Sequence, residues 1–357
     1  MLIKNARING HPFDLRIDHT VQAMARHLEV APNETVLDAR GGELLPGLHD
    51  HHIHLFAAAA AHDSVDCNVG SGTLSQCRAL LEARLKRATG NDWIRGVNYQ
   101  EQQVGELDRW ILDELCPTRP VRIQHRSGKV WVCNSLALRE LGFKDTERID
   151  GLERSSRGLL TGRIVRRDRL LAERLKHAKA SRRPNITAYS RQLARYGIVG
   201  ITDTSASNTT DTLADFQRLS DGGELLQHFS LMGSDDLDSG YLKILLDEDR
   251  LPDLANLVGR INQARRKGRN LAFHCVTHLE LVFALAALAE AAPCEAGFDR
   301  IEHGAVVNDE MAHRLVDLGL PVITQPGFLF SKGDQYLADL TRTELRSLYR
   351  FDGLQRL

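Results

Sequence analysis

Residues 46–54 read Pro-Gly-Leu-His-Asp-His-His-Ile-His. Two residues is the period of a β-strand, so the His52 and His54 imidazoles leave the same face. Imidazole is the commonest protein ligand for zinc and related divalent metals, and two on one face form a pincer. A same-face pair can also be a packing feature. Three further residues shift the balance. Lys243 sits inside Tyr-Leu-Lys-Ile-Leu-Leu, His274 near the end of Leu-Ala-Phe-His-Cys, and His303 at the end of Arg-Ile-Glu-His. From 243 to 274 is 31 residues and from 274 to 303 is 29, about one βα unit each. Each His alone could be a hydrogen-bonded core or rim residue. In matched register, the four histidines point to a metal centre that activates water.

Lys243 is flanked by Leu242, Ile244, Leu245 and Leu246, where a buried ammonium carries a penalty of several kcal/mol. Its stem could snorkel to the rim, or its amine could find Asp247 or Glu248. Alternatively, the amine has reacted with carbon dioxide. The resulting carbamate offers two oxygens and could bridge two metals about 3.5–4 Å apart, one held by His52 and His54, the other by His274 and His303.

The elements that must position these residues follow a rhythm. Strand-like segments at 48–54, 197–203, 225–232, 241–246, 271–275, 298–303 and 320–325 alternate with helix-like ones, which implies a parallel sheet covered on both faces. Eight such units would close a TIM (β/α)8 barrel, whose functional residues lie at the C-terminal strand ends; seven are present. Short strand-like runs in residues 1–45 suggest a small β-layer. Residues 65–190 separate the first barrel strand from the second, far more than an ordinary βα loop, and are expected to form a cap beside the rim. Within the cap, a helix is expected at 74–88, a short turn element at 93–96, a β region at 121–133 and an Arg-rich helix at 164–180. Trp93 and Trp131 read as packing residues.

Composition excludes several classes. The 357 residues are 42% hydrophobic and can bury a large core. A formal net charge of -1 argues against a nucleic-acid surface, and the basic runs at 166–169 and 265–267 read as solvent-facing. Six scattered cysteines form neither a disulfide framework nor a ligand pair. No signal peptide or membrane span is evident. Together these features point to a cytoplasmic protein acting on a small molecule.

The chain resembles the amidohydrolase superfamily, within the metal-dependent hydrolase branch that includes N-substituted formamide deformylase-like proteins (amidohydrolase family 3-like). The resemblance begins at Val36-Leu-Asp-Ala-Arg-Gly-Gly and runs through Pro46-Gly-Leu-His-Asp-His-His-Ile-His, Trp93-Ile-Arg-Gly, Arg119-Pro-Val and Asn134-Ser-Leu-Ala-Leu. It continues through Gly197-Ile-Val-Gly-Ile-Thr-Asp, Leu242-Lys-Ile, Phe273-His, Ile301-Glu-His-Gly and Thr324-Gln-Pro. It implies a TIM-barrel domain over 46–357 with a 65–190 insertion, and residues 1–45 as the N-terminal part of a composite β-sandwich. It also implies one or two divalent ions, zinc first with manganese or iron(II) as alternatives. His52, His54, Lys243 (as a carboxylated lysine), His274 and His303 are the implied ligands. Asp50 then reads as an anchor behind the ligands, and Glu302, by strand alternation, as a structural residue turned away.

Three departures stand out. The superfamily's eighth strand, ending in a metal-binding, proton-shuttling aspartate, is not found before Leu357, and Asp352 does not replace it, so the catalytic acid–base is unassigned. The expectation is a C-terminally truncated fragment with little or no activity, whose open sheet edge favours aggregation or a homodimer. Ser127-Gly-Lys129 stands where relatives commonly read Asp-Gly-His, so Lys129 is either a contact for an acidic substrate or a solvated surface residue. His278 lies where relatives usually carry Gly-Asp after the ligand, and either contacts substrate or caps a helix. The implied reaction is hydrolysis of a non-peptide carbon–nitrogen bond in an amide, N-substituted formamide or cyclic imide. The alternatives are deamination of an amino-substituted heterocycle and a non-catalytic or inactive barrel.

Overall fold

The computed structural model describes residues 1–18, 20–88, 93–178, 184–293 and 297–356. Seven parallel strands form its main sheet: β1 (Leu48–Ile53), β2 (Ile198–Asp203), β3 (His228–Gly233), β4 (Tyr241–Leu245), β5 (Leu271–Cys275), β6 (Arg300–His303) and β7 (Val322–Ile323). They are hydrogen-bonded in chain order from β1 to β7. The sheet curls far enough that β1 and β6, five places apart in that order, touch through side chains: Arg300 Nη2 donates to the His51 carbonyl at 2.9 Å.

Alternation along the strands decides what is core and what is site. Leu242, Ile244, Phe273, Cys275 and Ile301 face outward and pack with Leu257, Ile261, Leu281, Leu285, Met311 and Leu315 of the covering helices. Each such side chain contributes about 1.5–3 kcal/mol on burial. The intervening positions, Lys243, Ala272, His274, Arg300 and Glu302, are left to the barrel interior. Polar residues after the strands start the helices. Thr277 caps Leu281's helix (His278–Glu290) in a capping box with Glu280, and Asn308 accepts from the Met311 N–H to open Asp309–Asp317. The helix after β1, α1 (Leu55–His62), starts with the Leu55 N–H donating to the buried Asp203 carboxylate at 2.7 Å. The helix after β7, α2, spans Phe328–Asp339.

The N-terminal residues form a four-stranded sheet, with Val21–Ala25, His11–Ile17, Leu2–Ile8 and Val36–Asp38 in that spatial order. Its hairpin turns at Asn9-Gly10, both at positive φ, the conformation a type I′ turn requires.

Between β1 and β2 lies a six-stranded sheet, ordered Leu152–Arg154, Leu160–Val165, Val130–Cys133, Val121–His125, Ile94–Tyr99, Val65–Asp66. The helix expected at 74–88 is present as Leu74–Arg87. The expected turn at 93–96 is instead a strand, because Ile94, Val97 and Tyr99 are buried between neighbours on both sides. The 164–180 segment is not one helix: Leu160–Val165 is a strand, and the helix begins at Asp168. Of the cysteines, Cys67, Cys77, Cys116, Cys133 and Cys275 are free and buried, while Cys294 lies outside the described residues. Arg265, expected to face solvent, donates to Asp299 at 2.5 Å and is largely covered. Among the described residues no helix is long and apolar enough to cross a membrane.

Candidate metal centre

The five residues singled out by type and spacing meet at the C-terminal end of the sheet. The His52 ring lies 5.6 Å from that of His54 and 4.5 Å from that of His303, centroid to centroid, and His303 lies 4.6 Å from His274. Lys243 is 3% exposed, with its Nζ 3.9 Å from Glu302 Oε2 and no hydrogen-bond partner. Neither Asp247 nor Glu248 pairs with it; its ion-pair neighbour is Glu302.

Two backbone irregularities bring these side chains together. Between β1 and β2 the register runs from Ile201 opposite Asp50 to Asp203 opposite Ile53, so β1 uses three steps where β2 uses two. This β-bulge re-aims the histidines that follow Asp50. The Asp50 carboxylate accepts from the His52 N–H at 3.0 Å, an anchoring contact behind the candidate ligand. His49 and His51 stand apart from the cluster, ring to ring at 4.5 Å, with His49 Nε2 on Thr202 Oγ1 at 2.8 Å.

The second irregularity is His303 itself, at φ +69°, a left-handed conformation uncommon for a residue other than glycine. It overturns the expectation for Glu302. Alternation sends Arg300 and Glu302 inward, and it is His303 that leaves the alternation to reach the same rim. Glu302, fully buried, is therefore part of the site. It accepts from Arg300 Nε at 2.5 Å and from His52 Nδ1.

Three imidazoles are held by Nδ1. His52 Nδ1 donates to Glu302, since an ionised carboxylate only accepts. His54 Nδ1 meets Ser205 Oγ at 2.8 Å, and His303 Nδ1 meets Gln325 Oε1 at 2.7 Å. Their Nε2 atoms take no protein partner among the described residues. Outer partners on one nitrogen fix the orientation of the other, the usual arrangement behind a metal-ligating histidine. Asp203, 1% exposed, accepts from Leu55, Ser205 and Asn208 and so fixes both the exit of β1 and the Ser205 turn. Ser205, Asp203 and Glu302 were missed in the sequence. The available signal was the run of polar residues just beyond β2, where barrel rims carry function.

Burial governs the electrostatics. It pushes the His274 imidazole down to about 4 and the His303 imidazole down to about 3, with the neighbouring rings and Lys243 adding to the effect. His54 is lowered for the same first reason. Burial lowers the Lys243 ammonium to about 8 against the opposing pull of Glu302. Burial pushes Glu302 up, but the His52 hydrogen bond and the charges of Lys243 and Arg300 hold it below the ordinary glutamate range. At neutral pH His54, His274 and His303 thus present neutral imidazoles with free lone pairs.

Among the described residues no three His, Cys, Asp or Glu side chains converge at metal-ligand geometry; the rings touch one another instead. The donor set nevertheless fits a divalent ion. It has imidazole nitrogens with free Nε2 atoms, an anionic residue behind them, and a buried amine that makes no hydrogen bond and meets its one ion-pair neighbour, Glu302, only at 3.9 Å.

The two candidate substrate contacts are set differently. Lys129 is exposed in the turn after Val121–His125 and lines a small cavity of about 310 Å³ with His125 and Arg163. Lys332, on α2, is lowered by burial and then by the charges of Lys129 and Arg126; it lies 4.8 Å over Phe328, whose ring is 6.4 Å from His303. His278 does not cap its helix, because Thr277 does. Trp93 donates to Glu140 at 2.7 Å and Trp131 to Asp168 at 2.8 Å. Asp352 pairs with Arg356 on the surface.

Comparison with known proteins gives a consistent picture. The profile described as "Amidohydrolase family" matches residues 35–354. An N-substituted formamide deformylase from Arthrobacter pascens is 25% identical over 363 aligned positions, covering 86% of this chain and 67% of that protein. Two solved metal-dependent hydrolases share the fold at 19% identity. For the one from Pyrococcus horikoshii OT3 the TM-score is 0.70, with 99% of this chain and 80% of that chain covered. For the one from Pyrococcus furiosus it is also 0.70, covering 99% and 83%.

Proposed function

The chain belongs to the amidohydrolase family, a family of metal-dependent hydrolases of carbon–nitrogen bonds, and on that premise we propose that it hydrolyses an amide, N-substituted formamide or cyclic imide at the histidine cluster. The observation that carries this reading is the buried Lys243 amine, without a hydrogen bond, beside four imidazoles on the rim. His52 and His54 would hold one divalent ion and His274 and His303 a second. Lys243 would bridge them as a carbamate, formed when its neutral amine adds to carbon dioxide and releases one proton. Zinc is the expected metal.

A bound divalent ion supplies Lewis acidity, which polarises the scissile carbonyl and acidifies water from a pKa of 15.7 toward about 7. The protein's own contribution is orientation and charge. Glu302 and Gln325 keep His52 and His303 in the tautomer with Nε2 unprotonated. Burial keeps His274 and His303 neutral. Arg300 neutralises Glu302 from behind. A non-catalytic barrel would gain support from dispersed histidines, but His52 and His303 lie 4.5 Å apart.

The test is metal analysis of the purified protein, combined with product assays on N-substituted formamides, simple amides and cyclic imides with added zinc or manganese. The expected result is bound metal and release of a carboxylate, formate from formamides. Ammonia without a carboxylate would favour the deaminase reading. Neither bound metal nor stimulated hydrolysis would refute both.

A further inference from the structure

A second concentration of nitrogen bases lies away from the metal centre. A cavity of about 940 Å³ opens between the six-stranded sheet, the end of α1 and the start of the helix Ile186–Arg195. Arg84, Arg87, Arg95, Arg119 and Arg122 line it. Two carboxylates also line it, and both are committed. Asp63 accepts from the Asn185 N–H at 2.7 Å, and Asp66 accepts from Asn98 and Asn68 with Arg84 at 3.8 Å.

Arg95 and Arg122 are the informative pair. They are direct neighbours across parallel strands, and both guanidiniums stack on the buried Trp131 indole, at 5.4 and 5.2 Å from its centroid. Among the described residues neither forms an ion pair. Arg95 Nη1 donates to Ala60 O and Ser64 Oγ at 2.9 and 2.6 Å, while Arg122 makes no hydrogen bond there. Two like charges, half-buried side by side with no counter-charge among the described residues, are costly unless an anion completes them. Burial, then Arg122, lowers Arg95 to about 10, and burial lowers Arg122. Both remain charged at neutral pH. The mutual repulsion is therefore present in the folded protein.

We propose that this cavity is a binding site for a small oligophosphate anion. The planar guanidinium fork matches phosphoryl oxygens bidentately, and more than one fork favours more than one phosphoryl group. The indole behind the forks holds their planes fixed. Arg87, Arg95 and Arg122, which form no ion pair among the described residues, set the sign of the ligand, and the volume admits groups beyond the phosphates. This site is independent of the reading of the metal centre.

Two of the chain's three tryptophans report on it: Trp131 under the forks and Trp93 in the lining. Pyrophosphate, sulfate and citrate would be titrated against the whole protein by tryptophan fluorescence and calorimetry. Saturable pyrophosphate binding, weaker for citrate and sulfate, is expected. Its Kd should rise about tenfold or more in Arg122→Gln, and also rise in Arg87→Gln, whose exposed position on the helix leaves folding untouched. It should stay unchanged in His303→Ala, which separates this site from the metal centre. Absence of pyrophosphate binding, equal binding of citrate, or a Kd unaffected by both arginine variants would overturn the proposal.

Discussion

The rim of the barrel and the cavity beside the six-stranded sheet are built from the same kind of group, clustered nitrogen bases partly removed from water, and they are suited to opposite ligands. At the rim, burial moves imidazoles from near neutrality down to about 4 and 3. They lose their protons and offer lone pairs to a cation. In the cavity, burial moves Arg95 from 12.5 to about 10. The guanidinium keeps its proton and offers N–H donors to an anion. One physical cause, desolvation, acts in the same direction on both. Where each residue's reference value starts decides which side of pH 7 it ends on.

The contrast is broken most severely by His303→Ala. Loss of a ligand should cost hydrolysis more than the roughly 10–100-fold expected for an outer partner, with cavity binding intact; retained turnover and retained zinc would exclude His303 as a ligand. Next is Glu302→Ala, which leaves Arg300 and Lys243 buried without their shared carboxylate. Removing one partner of such a network costs about 3–5 kcal/mol, and a urea midpoint close to wild type would count against the network. Asn134→Ala should affect only the region of the six-stranded sheet. Asn134 is fully buried, accepts from Val121 and Ala137, and donates to Arg119 O and Cys116 O. Leaving those groups unpaired costs about 1–3 kcal/mol, and pyrophosphate binding should weaken while metal content holds. A loss of metal instead would mean the two regions are energetically joined.

Acidity provides the mildest test. Folded His274 and His303 sit below the ordinary histidine value, so the unfolded chain takes up protons first as pH falls below about 6.5. Their contribution to stability is complete above that pH and is lost between it and about 4 to 3. Lys243 acts in an upper window. Folded at about 8 against 10.5, it makes stability rise with pH between those values. Urea titrations of wild type and Lys243→Met should have different slopes in that upper window and run parallel below it; parallel curves throughout would show that the amine is not desolvated.

Much of the rim was legible in the chain. His52, His54, Lys243, His274 and His303 recur at strand ends, and strand periodicity is the most local of signals. Glu302 was misjudged because alternation was carried through His303, and nothing in Arg-Ile-Glu-His announces a residue at φ +69°. The 93–96 segment, read as a turn element, contains Gly96. In the structure that glycine is a close approach, where a Cβ would stand 2.6 Å from Cys67 Sγ. The arginine cavity was not legible at all. Its members lie on a helix, two strands and the bend before the second strand, and converge only through a parallel pairing that sequence spacing does not encode.

The side-chain tie between β1 and β6 also bears on the order of assembly. His52 and Glu302 are 250 residues apart, and Arg300 reaches the His51 carbonyl across 249. Contacts of such separation carry a large loop-closure cost and form after the local βα units are in place. During synthesis the first two histidines leave the ribosome long before the residues that orient them. The histidine cluster is therefore completed late in folding, and uptake of the proposed metal should follow the chain's consolidation as its final kinetic phase.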